Sequence, residues 1–209
     1  MGRPQTNEAR RLATGELGNG LFAVKHYEDA LPVQEAELSM ARRLGESGRN
    51  LLTAQGNLAC TYQSLGRLEE ALQMRRDVYS GYLKLEGEEH RKSILTAYNY
   101  VLSLASLHRS EEAKALMRKT IPVARRVLGE SDEVTLSMRK TYAVTLINAG
   151  ATLDDIREAI TTLEDIERIA RRVVGGANPI TMRIVALLRD ARAMLRAREA
   201  PTPVVLILK

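Results

Sequence analysis

A chain of 209 residues with 44% apolar and 27% charged residues has a foldable balance, and it is long enough for one large domain or an array of small units. Its net charge of +5 is a mild excess that bears on solubility and general attraction to anions, and it does not mark a nucleic-acid binder. Aromatic residues make up 4%, with no Trp and one Phe, which argues against a sandwich or barrel; the single Cys60 excludes an intrachain disulfide and fits a reducing, cytoplasmic setting. No run approaches the ~18 apolar residues of a membrane span.

The first predicted element is a helix over 6–24, and "HYEDAL", His26 to Leu31, opens a second over 27–44. The turn "LGESGRN" at Leu44 leads into a helix over 49–65, whose Leu51, Leu58, Tyr62 and Leu65 recur with helical spacing. Gly66 breaks it, and a helix over 68–85 follows with Glu69 and Glu70 in its first turn, where acids complement the helix dipole. "LEGEEHR" at Leu85 separates this helix from the next pair, over 91–107 and 110–128. "LGESDEV" at Leu128 precedes helices over 133–149 and 153–174, and "VVGGANP" at Val173 precedes a last helix over 179–198. Basic residues close the second helix of each pair, as in Arg42-Arg43, Lys84, Arg125-Arg126 and Arg171-Arg172. Pro201 and Pro203 end the last helix, and the apolar tail over 201–209 is expected to lie extended on an apolar surface of its own chain or of a neighbouring molecule.

These elements repeat. The turn glycines Gly45, Gly87, Gly129 and Gly175 are spaced by 42, 42 and 46 residues. In the same frame Leu52 aligns with Ile94 and Leu136, Ala59 with Val101 and Ala143, and Tyr62 with Leu104 and Leu146. Glu69 to Ala71 aligns with Glu111 to Ala113, and Arg157 to Ala159 follows about four extra residues. Small residues at fixed positions let helices approach to ~8–10 Å. One helix pair cannot bury its apolar face alone, and stacking does so. The expected fold is all-α: a right-handed α-solenoid of antiparallel helix pairs, in one array over 1–200 with units near 6–44, 49–86, 91–128 and 133–174 and a capping helix over 179–198.

The segment "NLACTYQSLGRLEEALQMRRDVYSGYLKLEGEEH" resembles a tetratricopeptide repeat, and more closely the 42-residue kind of kinesin light chains and nephrocystin-type arrays. HEAT and armadillo arrays have periods in the same range, but the Gly-x-x-Glu-Glu-Ala spacing favours the tetratricopeptide reading. The resemblance implies a protein-protein interaction module whose first helices line a concave groove, with an Asn before the "LA" pair reaching the backbone of an extended peptide. That column holds Asn57, Asn99 and Thr141. A side-chain amide both donates and accepts, so it can hold a peptide backbone without reading its sequence. Bonding to a neighbouring helix is the competing role for these amides. Flanking groove positions are Thr53, Cys60 and Ser64; Leu95, Leu102 and Ser106; and Ser137, Lys140, Val144 and Asn148.

No catalytic residues, metal ligands or cofactor site stand out. His26, His90 and His108 are scattered over turns, and neighbouring acids on a helix do not face one another. No phosphate loop or nucleophile motif occurs. The late arginines Arg168, Arg171, Arg172, Arg189 and Arg192 are interleaved with acids, as on a salt-bridged outer face. The expected function is therefore a non-catalytic module binding a protein or peptide partner. Self-association as a scaffold, in part through the tail, and an RNA or anion site on the late arginines are the alternatives.

Overall fold

The computed structural model describes residues 4–148 and 150–199. Among them the chain forms nine α-helices and no strands: α1 Pro4–Ala23, α2 Tyr27–Arg43, α3 Gly48–Ser64, α4 Leu68–Glu86, α5 Arg91–Ser106, α6 Ser110–Leu128, α7 Glu133–Leu146, α8 Leu153–Val174 and α9 Pro179–Glu199. All nine fall where the hydrophobic periodicity places them. The main difference is the end of α7, which stops at Leu146 and not at 149. Asn148 consequently lies in the turn beyond the helix. The apolar tail over 201–209 lies outside the described residues.

The chain divides into two compact units, one ending at Leu116 and the other beginning at Met117, within α6. In the first, each helix packs on the next from α1 to α5; in the second, α7 packs on α8 and α8 on α9. This is an all-α helical repeat of the solenoid class.

Local chemistry accounts for the breaks. At the turn within each pair, Lys25, Gly66, His108 and Gly150 all take positive φ, of 65°, 75°, 57° and 89°. The backbone closure is shared: Gly66 N–H donates to Gln63 O and Arg67 N–H to Tyr62 O, just as His108 N–H donates to Ala105 O and Arg109 N–H to Leu104 O. These bonds satisfy carbonyls that a helix end would otherwise orphan. At the turn between pairs, Gly87 has φ 80° and ψ 171° and Gly175 has φ 87° and ψ 159°, a region open essentially to glycine alone. Helix starts are capped by side chains: Asp132 accepts from Val134 N–H, and Thr152 and Asp155 form a reciprocal capping box. Arg67 pairs with Glu70 and Arg109 with Glu112 at equivalent places on the surface.

The small-residue columns are the core. Ala30, Ala59, Ala113, Ala143 and Ala159 are fully buried and Ala71 is 1% exposed. Leu58, Ile94 and Leu104 in the first unit, and Met117, Leu146 and Leu163 in the second, are buried as well. A buried hydroxyl also recurs at the start of first helices. Ser93 Oγ donates to Tyr82 O, Thr135 Oγ1 to Ala124 O, and Thr181 Oγ1 to Gly175 O. The first two pairs are one repeat apart in both donor and acceptor.

Two clusters of charged and polar side chains, each centred on a buried arginine, tie helices together. In the first unit, Arg11 on α1 donates to Glu37 Oε1 at 3.2 Å and to Glu46 Oε1 at 2.6 Å. Gly15 makes room for that carboxylate, since a Cβ there would lie 2.5 Å from Glu37 Oε1. Burial raises the Glu37 pKa above the ordinary carboxylate value, against the opposing pull of Arg11. In the second unit, Arg139 donates to Glu130 and Asp165, and Tyr142 donates to Glu158 at 2.5 Å while accepting from Arg118 at 2.7 Å.

Candidate functional site

The first helices of the pairs carry the residues singled out by sequence. On α3, Asn57 and Cys60 are half-buried and Thr53 is exposed; on α5, Leu95 and Asn99 are half-buried. Helical spacing puts Thr53, Asn57 and Cys60 on one stripe of α3, and Leu95 and Asn99 on the matching stripe of α5. The fold brings all five to one open recess of 160 Å³ in the first unit. Its walls also include Leu52, Gly56, Thr96, Arg75, Val78, Tyr82 and Lys92. Among the described residues, neither the Asn57 nor the Asn99 side-chain amide has a hydrogen-bond partner in the chain. Both line the open recess.

The remaining predicted residues do not join this recess. Ser64 is exposed at the last position of α3, and Ser106, at the end of α5, turns its hydroxyl back to Leu102 O at 3.0 Å. Leu102 is half-buried on α5. Lys140 and Thr141 are half-buried on α7 in the second unit, and Asn148 is exposed in the turn that follows.

Sequence reasoning missed Arg75, Tyr82 and Lys92. Tyr82 comes from α4 and its hydroxyl meets Thr53 Oγ1 at 3.1 Å, fixing one wall. Arg75 also comes from α4, the second helix of its pair. Its side chain is 9% exposed, and it reaches the space between α3 and α5, donating to Asn99 O at 2.9 Å and to Cys60 Sγ at 3.7 Å. A signal for it existed. Four residues beyond the column of small alanines stand Gln34, Arg75, Met117 and Leu163, all buried. A charged residue in a column that turns apolar further along the chain is out of place for packing alone. Gln34 is satisfied within the fold by Thr61 Oγ1, which donates to it at 2.6 Å. Arg75 points at the recess.

The recess has a mixed apolar and polar wall with two cations and no carboxylate. On the late helices the arginines are largely paired: Arg168 with Asp165, Arg171 with Glu167, Arg192 with Glu164 and Arg157 with Glu199. No group of His, Cys, Asp and Glu among the described residues is arranged to hold a metal ion, and no described helix is long and apolar enough to cross a membrane.

Residues 9–84 match the tetratricopeptide repeat family. The match covers α2, α3 and most of α1 and α4, including one side of the recess. Solved structures extend the likeness to the rest of the fold. A variant of the nearly identical TPR-like repeats of a Podosopora anserina protein described as a kinesin light chain superposes with a TM-score of 0.78 at 18% identity, covering 95% of this chain and 90% of that one. BtubC (BKLC) of P. vanneervenii superposes with a TM-score of 0.68 at 19% identity, covering 97% and 93%. The apo form of RapI superposes with a TM-score of 0.60 at 13% identity, covering 93% and 72%. No curated protein matches the sequence significantly. The resemblance to tetratricopeptide repeats read from the sequence is thus met by the family match over residues 9–84, and the fold is like that of solved repeats described as a kinesin light chain. At these identities the structural likeness establishes the fold alone.

Proposed function

We propose that this protein is a non-catalytic interaction module that binds an extended segment of a partner protein along the first helices of its tetratricopeptide repeats. The observation that carries this reading is the pair of side-chain amides, Asn57 and Asn99, on successive first helices at one open recess, with no partner of their own among the described residues. An amide that braced a neighbouring helix would have its bonds within the fold. These two are placed to donate to and accept from a peptide backbone, while Leu52 and Leu95 offer apolar contact to its side chains. Thr141 continues the amide column in the second unit. The lone cysteine fits action in a reducing cytoplasm, as a scaffold that brings a partner to a larger assembly.

The test is a pull-down comparing wild type with the Asn57→Ala/Asn99→Ala double variant, with helicity followed by circular dichroism. The reading expects a partner retained by wild type and lost by the double variant at unchanged helicity. Equal retention by the two proteins would remove the groove from the account.

A further inference from the structure

We infer that the tail of this chain turns back along α9 and seats its apolar run, Val204 to Leu208, in a groove on the open flank of that helix. Repetition marks the flank. Counted from the turn glycines, Met182, Val185, Arg189 and Arg192 on α9 hold the places that Ile94, Ala97, Val101 and Leu104 hold on α5. Those four α5 residues are buried, and so are Ala143 and Leu146, which hold the last two places on α7. On α9 all four places are open: Met182 is 60% exposed, Val185 is 36% exposed, and both arginines are exposed. The helix buries Thr181, Ile184, Leu188 and Ala191 and packs on α8. In the same unit α7 packs on α8, the helix that follows it in the chain. The segment that follows α9 in the chain is the tail.

Groove and tail match in chemistry and in reach. The groove has a volume of 270 Å³ and is lined by Glu167 of α8 and by Val185, Leu188, Arg189, Arg192 and Arg196 of α9. Val185 and Leu188 give it apolar wall, and the methylene stems of the arginines extend that wall. Arg192 pairs with Glu164 at 2.7 Å and Arg189 with Asp190 at 3.0 Å, so these two heads have carboxylates of their own. The tail brings none, since Ala200 to Lys209 contains no Asp or Glu. Val204, Val205 and Ile207 are β-branched and favour an extended backbone. Pro201 and Pro203 stop the helix and have no N–H groups that need partners. From Glu199 back to Val185, α9 runs ~21 Å at its rise of ~1.5 Å per residue. An extended chain covers at most ~3.3–3.6 Å per residue, so Ala200 to Leu208 can span about 30 Å. With about two or three residues spent on the reversal, the apolar run reaches from the level of Arg196 to that of Val185, which is the length of the groove. Left in water, such a run promotes association between chains, and an open repeat face needs a cap. One contact covers both surfaces.

Cysteine labelling in the whole chain tests the seat. In a Cys60→Ala background, one protein carries Val185→Cys and another Arg183→Cys, each with the native tail and with a tail bearing Leu206→Asp and Ile207→Asp. The two aspartates fall on opposite sides of an extended segment, so either side turned to the groove is disrupted. Arg183 is exposed on the same helix about 160° round from Val185, and it reports on α9 outside the groove. Both positions are exposed, so the cysteines leave packing intact, and circular dichroism checks that helicity is equal in all four proteins. Alkylation of Val185→Cys by iodoacetamide is expected to be about tenfold slower with the native tail than with the substituted one, a difference of ~1.4 kcal/mol. That factor should hold on dilution, and at Arg183→Cys the two tails should give one rate. Equal rates for the two tails at Val185→Cys would overturn the proposal. Protection at Val185→Cys that fades on dilution would overturn the assignment to the chain's own tail and give the groove to the tail of a second copy. Equal tail-dependent protection at both positions would replace a seat in the groove by a general cover and overturn it as well.

Discussion

His108 stands in the turn position that glycine fills at Gly66 and Gly150, and it adopts φ 57° without glycine's freedom. Replacing it with glycine is expected to stabilise the protein. A non-glycine residue in the left-handed region carries a penalty of about 1–2 kcal/mol. Glycine returns about 0.5–1 kcal/mol of that through the greater freedom of its unfolded chain. The net gain for His108→Gly is therefore about 0.5–1 kcal/mol. Packing contributes little to this sum, because the His108 side chain is exposed. The reverse substitution tests the same reasoning. At Gly66 a Cβ would meet no atom within 4 Å, so Gly66→Ala isolates the backbone cost and should destabilise by about 1 kcal/mol. For a chain of this size 1 kcal/mol moves the melting temperature by roughly 2–4 °C, which circular dichroism resolves. A lowered melting temperature for His108→Gly, beside an unchanged one for Gly66→Ala, would refute the equivalence of the two turns.

Four further outcomes are expected. Ala71→Leu should cost ~1–3 kcal/mol by overpacking, since Ala71 is 1% exposed between helices; an unchanged chemical denaturation midpoint would show the small-residue column to be misassigned. The raised pKa of Glu37 means that the folded state binds its proton more tightly than the unfolded state. Its contribution is thus fully present below the ordinary carboxylate pKa of 4.5 and is lost as pH rises through the raised value, and Glu37→Gln should remove this fall from a pH series of melting temperatures. Burial, followed by the hydrogen bond to Glu158, pushes the Tyr142 pKa up to about 12, so ultraviolet titration of wild type minus Tyr142→Phe should place this phenol near that value. The same Tyr142→Phe variant loses a charge-assisted bond to Glu158 and should unfold more easily by about 1–2 kcal/mol in urea.

Much of the fold is visible in the sequence because repetition makes each signal appear several times. The turn glycines, the alanine columns and the acids at helix starts each recur at the same offset, so local preference and packing agree. The end of α7 was harder to read. Gly150 keeps the turn register of Gly66, but the four extra residues that follow it lengthen the connection, and α7 ends at Leu146 with no glycine directly after it. The Asn57 and Asn99 side of the recess was legible because the resemblance to tetratricopeptide repeats marks that column on the first helices. Arg75 was hidden for a different reason. It belongs to a second helix, and the length of its side chain, not the position of its Cα, brings it to the recess. Burial of an arginine is also a property of what surrounds it, and at this column the sequence alternates among Gln34, Arg75 and Met117 with no local mark of which one stays unpaired.

The recess as the binding surface can be tested by placing a photocrosslinking amino acid at Leu95, which lines it, and in a second protein at Gln73, which is exposed on α4 and does not. Each protein is irradiated with the retained partner or peptide and the adducts are measured by mass spectrometry. The account predicts adducts from the Leu95 position and none from the Gln73 position. Adducts from Gln73 with none from Leu95 would contradict it.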